Sequence, residues 1–295
     1  MNIGILGAEN SHALNFAKYL NLPGESGYPF LDVRVTHIYA FDRQQAERVA
    51  QAADIRNVMN DPIRLIEESD AVMIVFRDGK YHYRYAAESI RRRKPTWVDK
   101  PIAIDPQEAL QLVEMAKQTG VPLSGGSCCK WTPDVVAIRN KVQSGEIVPL
   151  TAMINFPVML NSEYSGIHFY ASHLVEMATE IFGFAVQSVY AQQKKDGITA
   201  IFEYEDKNIV LSFLSSKKYA CYIIEPDKTE MFKIDTDNLA ELGVKDFMHA
   251  IRTGTPQNTP INLYRYTVLV NAIKDSMDTG KQVIPELKLQ QNGCK

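Results

Sequence analysis

A chain of 295 residues with 45% hydrophobic content is too long for one core and apolar enough to build two, so two domains are expected. Its formal net charge of -3, with both signs interspersed, argues against nucleic acid or an anionic membrane as a partner, and no apolar run approaches the ~18 residues that span a bilayer. A small-molecule ligand is the expected partner.

From residue 1 to about 125, short apolar strands alternate with amphipathic helices, the pattern of a parallel sheet covered on both faces. Strands are predicted near 2–7, 33–40, 71–76, 96–99 and 121–125. The first runs into Gly7-Ala8-Glu9-Asn10-Ser11-His12 and then into a helix-forming segment. An apolar strand, a glycine and an immediate helix start together hold a dinucleotide pyrophosphate, because a helix amino terminus presents unpaired N–H donors and a positive dipole end. Glu9, however, stands at the second glycine of G-x-G-x-x-G. A carboxylate about 4 Å from a phosphate oxygen costs roughly 4 kcal/mol at an effective dielectric near 20. Its side chain also obstructs close backbone approach. The expected accommodation is a steric shift with Glu9 turned to solvent, to Arg77 or toward the active site, while Asn10, Ser11 and His12 donate to the phosphates.

Residues 21–30 are rich in turn-formers and are predicted as a long loop. The second strand ends at Asp42-Arg43. An acid there accepts both hydroxyls of an adenosine ribose and repels a 2′-phosphate, which favours NAD(H) over NADP(H). Arg43 opposes that preference, since a guanidinium grips phosphate or stacks on adenine. Asp42 reads equally as the N-cap of the next helix, and the two roles are compatible. Asp61-Pro62 and Asp105-Pro106-Gln107-Glu108 mark two more helix starts, the second helix stopping at Gly120. The basic run 91–94 reads as a solvated helix end. Trp97-Val98-Asp99-Lys100-Pro101 carries a lysine to the carboxyl end of a strand, where ligands lie in open α/β sheets. The plain alternative is a surface lysine beside a turn.

After Pro133 the pattern changes. A helix through residues 135–138 ends at Ser144-Gly145, strands at 198–204 and 209–214 form a hairpin, and further strands follow at 219–224 and 231–234. Consecutive strands without intervening helices imply an antiparallel sheet. Helices are predicted at about 166–182, 244–253 and 263–278. The cysteines Cys128, Cys129, Cys221 and Cys294 include no C-x-x-C pair, so reduced thiols are expected, with neither a disulfide framework nor a metal site. The amino terminus opens on a strand rather than a secretory leader, so the expected compartment is the cytoplasm.

Gly7 with its turn, Asp42, residues 70–75 running to His82, Asp99-Lys100-Pro101, Lys130-Trp131-Thr132-Pro133, Ser144-Gly145-Glu146-Ile147, His173 with Glu176, and residues 247–254 form an ordered series. In it the chain resembles the glucose-fructose oxidoreductase, inositol dehydrogenase and rhizopine-catabolism (Gfo/Idh/MocA) family over nearly its whole length. The resemblance implies an α/β fold: a Rossmann domain for NAD(P) over residues 1–125, with a doubly wound parallel sheet. It also implies an α+β domain over residues 126–295, whose large, mostly antiparallel open sheet serves substrate binding and assembly into homodimers or homotetramers. The implied activity is hydride transfer between nicotinamide and a sugar, cyclitol or related hydroxyl or carbonyl compound.

By the same resemblance Lys100 contacts substrate and nicotinamide ribose, while Gly7, Glu9, Asn10, Ser11, His12, Asp42, Arg43, His82 and Asp99 lie near the cofactor. Lys130 and Trp131 match an Arg-aromatic pair near the site, and a solvated cation and a packing residue are the alternatives for them. His173 matches the histidine of a D-x-x-x-H pattern, the proton donor or acceptor, but Phe169 stands where the pattern has aspartate. Glu176 shares its helical face and is the candidate to orient the imidazole, whereas His168 and Tyr170 are each turned about a third of a revolution from Phe169. A metal set of His168, His173, Glu176 and Glu180 fails on direction, because His168 projects away from the others. Two further readings compete with the dehydrogenase: a catalytically silent binding protein on the same fold, and a family enzyme with non-standard chemistry.

Overall fold

The computed structural model describes residues 1–24, 27–157, 159, 162–214 and 219–287. Cys294 and two residues of the predicted 21–30 loop lie outside them. The chain divides into two compact units, Met1–Gly126 with Asn238–Leu263, and Ser127–Asp237 with the chain from Tyr264 onward.

The first unit runs β1 (Asn2–Leu6), α1 (Ser11–Asn21), β2 (Arg34–Tyr39), α2 (Arg43–Ala52), β3 (Asn57–Val58), α3 (Pro62–Glu68), β4 (Ala71–Ile74), α4 (His82–Arg91), β5 (Thr96–Val98), α5 (Pro106–Thr119) and β6 (Leu123–Gly125). Among the described residues these strands form one parallel sheet in the order β3-β2-β1-β4-β5-β6. The chain builds outward from β1 on one side and then returns to continue from β4 on the other. The carboxyl end of β1 is therefore a topological switch point, the place where such sheets bind ligands. Helices cover both faces, and accordingly Ile3, Ile5, Leu6 and all of β4 are fully buried. Asp42, Asp61 and Asp105 each accept hydrogen bonds from first-turn amides, Pro62 and Pro106 open their helices, and Gly120 closes α5 at φ 70°. At the end of α4 Arg92 pairs with Glu88 and Glu67, so acids tie down the basic run. The two-residue β3 had no legible period.

The second unit contains a single helical turn at Cys128–Trp131, then α6 (Pro133–Gln143), β7 (Thr151–Pro157), α7 (His168–Phe182), β8 (Ser188–Lys194), β9 (Gly197–Glu203), β10 (Asn208–Leu214), β11 (Ala220–Ile224) and β12 (Thr229–Lys233). The order is β12-β11-β7-β10-β9-β8, with β7 and β10 parallel and the other pairs antiparallel. β7 and β8 were not singled out in the sequence, and the parallel β7–β10 pair departs from pure hairpin succession because α7, β8 and β9 intervene between them. One row across the sheet, Ala191, Ala200, Leu211, Ile154 and Cys221, is buried. The neighbouring row on the other face, Tyr190, Ile201, Val210, Met153, Tyr222 and Met231, is not. α7 packs on β7 and β10.

The next helix, α8 (Leu239–Thr253), packs on α1 and β6 within the first unit, with the Phe247 ring edge-on to Trp97 at 6.2 Å. This differs from a single division at residue 125. A contiguous cut assigned α8 by its place in sequence, whereas its buried face of Val244, Phe247 and Met248 completes the first core. The unit boundary falls inside α9 (Pro260–Thr279). No helix among the described residues is long and apolar enough to cross a membrane.

Candidate functional site

In the first unit the candidate residues gather at the carboxyl ends of β1, β4 and β5. Gly7 has φ 106°, and a Cβ there would lie 2.5 Å from the Phe76 backbone nitrogen, so the turn requires glycine. Asn10 caps α1: its Oδ1 accepts from the amides of His12 (2.9 Å) and Ala13 (3.4 Å), and its Nδ2 donates to the Val75 carbonyl (3.0 Å). Glu9 is half-buried at the turn. Its carboxylate folds back so that Oε2 accepts from the Ala8 amide at 3.0 Å, while Oε1 is buried without a hydrogen-bond partner. Ser11 is exposed at the first residue of α1.

His12 and Asp99 form a pair that sequence reading missed. His12 Nδ1 lies 2.6 Å from Asp99 Oδ2, with Asp99 buried and the His12 side chain 29% exposed. Burial alone would push the Asp99 carboxyl up; the adjacent His12, then Lys100 and His82, outweigh it and hold the group well below the usual carboxylate range. One oxygen of Asp99 is thus engaged by His12. A glycine spacing fingerprint gives no hint of this, because the partners are far apart in sequence.

Lys100 is 7% exposed and precedes a cis bond to Pro101. The Pro101 carbonyl lies 2.6 Å from His82 Nδ1, and the Phe76 carbonyl 2.9 Å from His82 Nε2. His82, expected beside the cofactor, is fully buried and has both ring nitrogens on backbone carbonyls, so its work is to clamp the turn after β4 to the Asp99-Lys100-Pro101 turn. Gly79 allows the close approach, since a Cβ there would lie 2.7 Å from the Pro101 ring.

At the end of β2, Asp42 accepts from the Gln44 amide at 2.9 Å and is largely exposed, while Arg43 pairs with Glu47 and Asn60. Phe41, which sequence reading passed over, is 50% exposed and stacks on buried Phe76 at 5.0 Å. A half-exposed aromatic beside a strand-end acid was its available signal.

The second unit holds a separate buried cluster. His173 Nδ1 lies 2.7 Å from Ser127 Oγ and 3.6 Å from Cys129 Sγ, and its ring is 5.1 Å from that of Phe156 and 5.8 Å from that of Tyr170. Glu176 Oε2 accepts from the Ser127 amide (2.8 Å) and from Lys130 Nζ (2.7 Å). Glu176 is thus the counter-ion of Lys130. Lys130 is not a solvated cation: it has no exposed surface, and its ammonium sits 4.3 Å above Trp131 and 5.2 Å above Tyr266. Phe169, in the place of the pattern's aspartate, packs against Tyr164 and Tyr170. His168 faces the Ser165 carbonyl, and burial lowers its pKa. Glu180 pairs with Arg139. Among the described residues no group of three or more His, Cys, Asp or Glu side chains is arranged to hold a metal.

Comparison with known proteins agrees with this architecture. Residues 1–127 match the GFO_IDH_MocA model, described as an oxidoreductase family with an NAD-binding Rossmann fold. The chain is 24% identical over 148 residues to inositol 2-dehydrogenase of Mycolicibacterium smegmatis, covering 50% of this chain and 39% of that one. It is 29% identical over 117 residues to inositol 2-dehydrogenase 2 of Saccharopolyspora erythraea, covering 39% and 34%. The match thus spans about two fifths or less of the length of these curated relatives. The fold is shared with a probable dehydrogenase from Thermotoga maritima (TM-score 0.81, 15% identity, 96% of this chain and 99% of that one). It is shared also with GenD2 from gentamicin A biosynthesis, solved in complex with NAD (TM-score 0.81, 14% identity, 96% of each). Over residues 1–127 the chain is similar to the Gfo/Idh/MocA oxidoreductase family, and over nearly its whole length it shares the fold of these solved dehydrogenases.

Proposed function

We propose that the protein is an NAD(H)-linked dehydrogenase or reductase that moves a hydride between nicotinamide and a sugar, cyclitol or related hydroxyl or carbonyl compound. The observation that carries this reading is the buried Asp99-Lys100-Pro101 turn at the end of β5, in a unit that matches an NAD-binding family. The residues present fit a dinucleotide. Gly7 keeps the turn tight, Asn10, Ser11 and His12 supply polar groups at the start of α1, and Asp42 with Phe41 offers an acid and an aromatic face for adenosine. Glu9, whose carboxylate takes the Ala8 amide, is the group a pyrophosphate has to move. Asp42 favours NAD over NADP, and Arg43, already paired with Glu47, is not committed to a phosphate.

A nicotinamide held there would supply the hydride acceptor or donor. The chain supplies the rest: the Lys100 ammonium offsets alkoxide charge as it develops and holds the substrate oxygen in register. His173 takes or returns the hydroxyl proton, a task suited to imidazole near neutral pH. The uncovered row of Tyr190, Ile201, Val210, Met153, Tyr222 and Met231 supports assembly as a homodimer or homotetramer through that sheet face. A cytoplasmic location is part of the same proposal. Glu9 in the turn and Phe169 in place of the pattern's aspartate are the observations that favour a catalytically silent binding protein.

The test is a fluorescence titration with NADH and NADPH, followed by NAD⁺ reduction with a panel of inositols, sugars and linear polyols. Tight NADH binding and turnover lost in Lys100→Ala and in His173→Ala are the expected results. Failure of both dinucleotides to bind at millimolar concentration overturns the redox reading.

A further inference from the structure

We propose that Ser127 is the positioning residue for His173, in place of the aspartate that Phe169 has replaced. This rests on the reading of His173 as the acid–base group. Its basis is geometric. Ser127 Oγ lies 2.7 Å from His173 Nδ1, and Ser127 is itself held at two points: its amide donates to Glu176 Oε2 at 2.8 Å, and its Oγ accepts from the Cys129 amide at 3.2 Å. Glu176 is in turn held at 2.7 Å by Lys130. The ion pair thus fixes the serine, and the serine fixes the imidazole. Every member of this chain is buried, Ser127 to 1% exposure, so water does not compete for the hydroxyl.

The chemistry differs from that of a carboxylate orienter. An ionised carboxylate only accepts, so it locks the proton on Nδ1 and favours imidazolium by its charge. With one lone pair engaged by the Cys129 amide, the Ser127 hydroxyl still has a proton to give and a lone pair to offer. It holds the ring in either tautomer, and so serves a group that has to give and take the same proton. It also adds no second negative charge beside Glu176, where two buried carboxylates would push each other toward protonation.

The experiment uses the full chain, labelled with ¹⁵N-histidine, as wild type and as Ser127→Ala, Ser127→Thr and His173→Gln, the last to assign the resonance. The proposal expects the His173 Nδ1 shift and its titration midpoint to move in Ser127→Ala and to return in Ser127→Thr. On a polyol that the panel shows to be turned over, kcat of Ser127→Ala should fall roughly 10–100-fold, part of the 10²–10⁴ that acid–base catalysis contributes. KM and NADH affinity should stay within about twofold, with the pH limb displaced and then restored by threonine. A folded Ser127→Ala whose His173 resonance and pH limb coincide with the wild type overturns the proposal while leaving the dehydrogenase reading intact. A His173→Gln protein that turns over as the wild type does overturns the acid–base assignment, and the positioning role falls with it.

Discussion

Two buried ion pairs, one in each unit, are built to different ends. Lys130 and Glu176 are 0% and 2% exposed, whereas the Asp99 pair has one wall open, with Asp99 2% and His12 29% exposed. A pair closed on both sides, with neither group reached by solvent, acts as a fixed strut. A pair whose histidine is partly exposed is open to solvent on one side and sits at the turn where an anion is proposed to bind. Pairs of similar spacing thus differ in how far solvent reaches them.

The strut should give the largest effect. Lys130→Met strands the Glu176 carboxylate in the core and should cost about 3–5 kcal/mol of unfolding free energy, read by urea denaturation. The double variant Lys130→Met, Glu176→Leu should recover a substantial part of it, because removing both charges removes the desolvation cost as well. A loss below about 1 kcal/mol in the single variant would place the pair among surface-like interactions and erase the contrast.

The open turn is probed through Glu9. Glu9→Gln keeps the shape and removes the charge; Glu9→Gly also clears the backbone approach. NADH affinity should rise in the order wild type, Gln, Gly, by roughly tenfold to a hundredfold overall, below the ceiling of about 4 kcal/mol set by a full charge at contact distance. Equal affinity in all three proteins would show that the Ala8 amide and its carboxylate are not in the path of the phosphates.

Asp99 gives a smaller effect with a defined sign. Its folded pKa is held below the unfolded value, so its stabilisation is present above about pH 4 and is lost as pH falls through the folded value. Asp99→Asn should cost about 2 kcal/mol at neutral pH and flatten the acid limb of a melting-temperature profile. An acid limb as steep in the variant as in the wild type would mean that other carboxylates govern it.

The same contrast explains what could be read from the chain. In the first unit Gly7, Asp42, Asp61, Asp105 and Lys100 stand where one element gives way to another, and local rules for caps, turns and strand ends find such positions without knowledge of the fold. What they miss is the use made of a residue from far away: His12 is 87 positions from Asp99, and His82 is 19 from the carbonyl it clamps. In the second unit nearly everything of interest is of that kind. Ser127 and His173 are 46 positions apart, as are Lys130 and Glu176, so helical spacing alone chose Glu176 as the partner of His173 and had no means of finding Ser127. β7 was missed for a related reason, since its place is set by a parallel partner more than fifty residues later.

At the alkaline end the second unit should respond first, through Cys221 on the buried row of its sheet. Burial pushes this thiol up to about 12, whereas an unfolded chain releases the proton near pH 8.5. A raised folded pKa contributes stability that is complete below the unfolded value and is lost as pH rises toward the folded one; each unit in that window removes about 1.4 kcal/mol. Cys221→Ala should therefore start less stable, having lost packing, yet decline less steeply between about pH 9 and 11. Iodoacetamide at pH 8.5 should leave Cys221 unmodified in the native protein and label it on denaturation, as read by peptide mass spectrometry. Native-state labelling at that pH would mean that the sheet opens locally around β11, and the second unit could no longer be described as the rigid support of the pair.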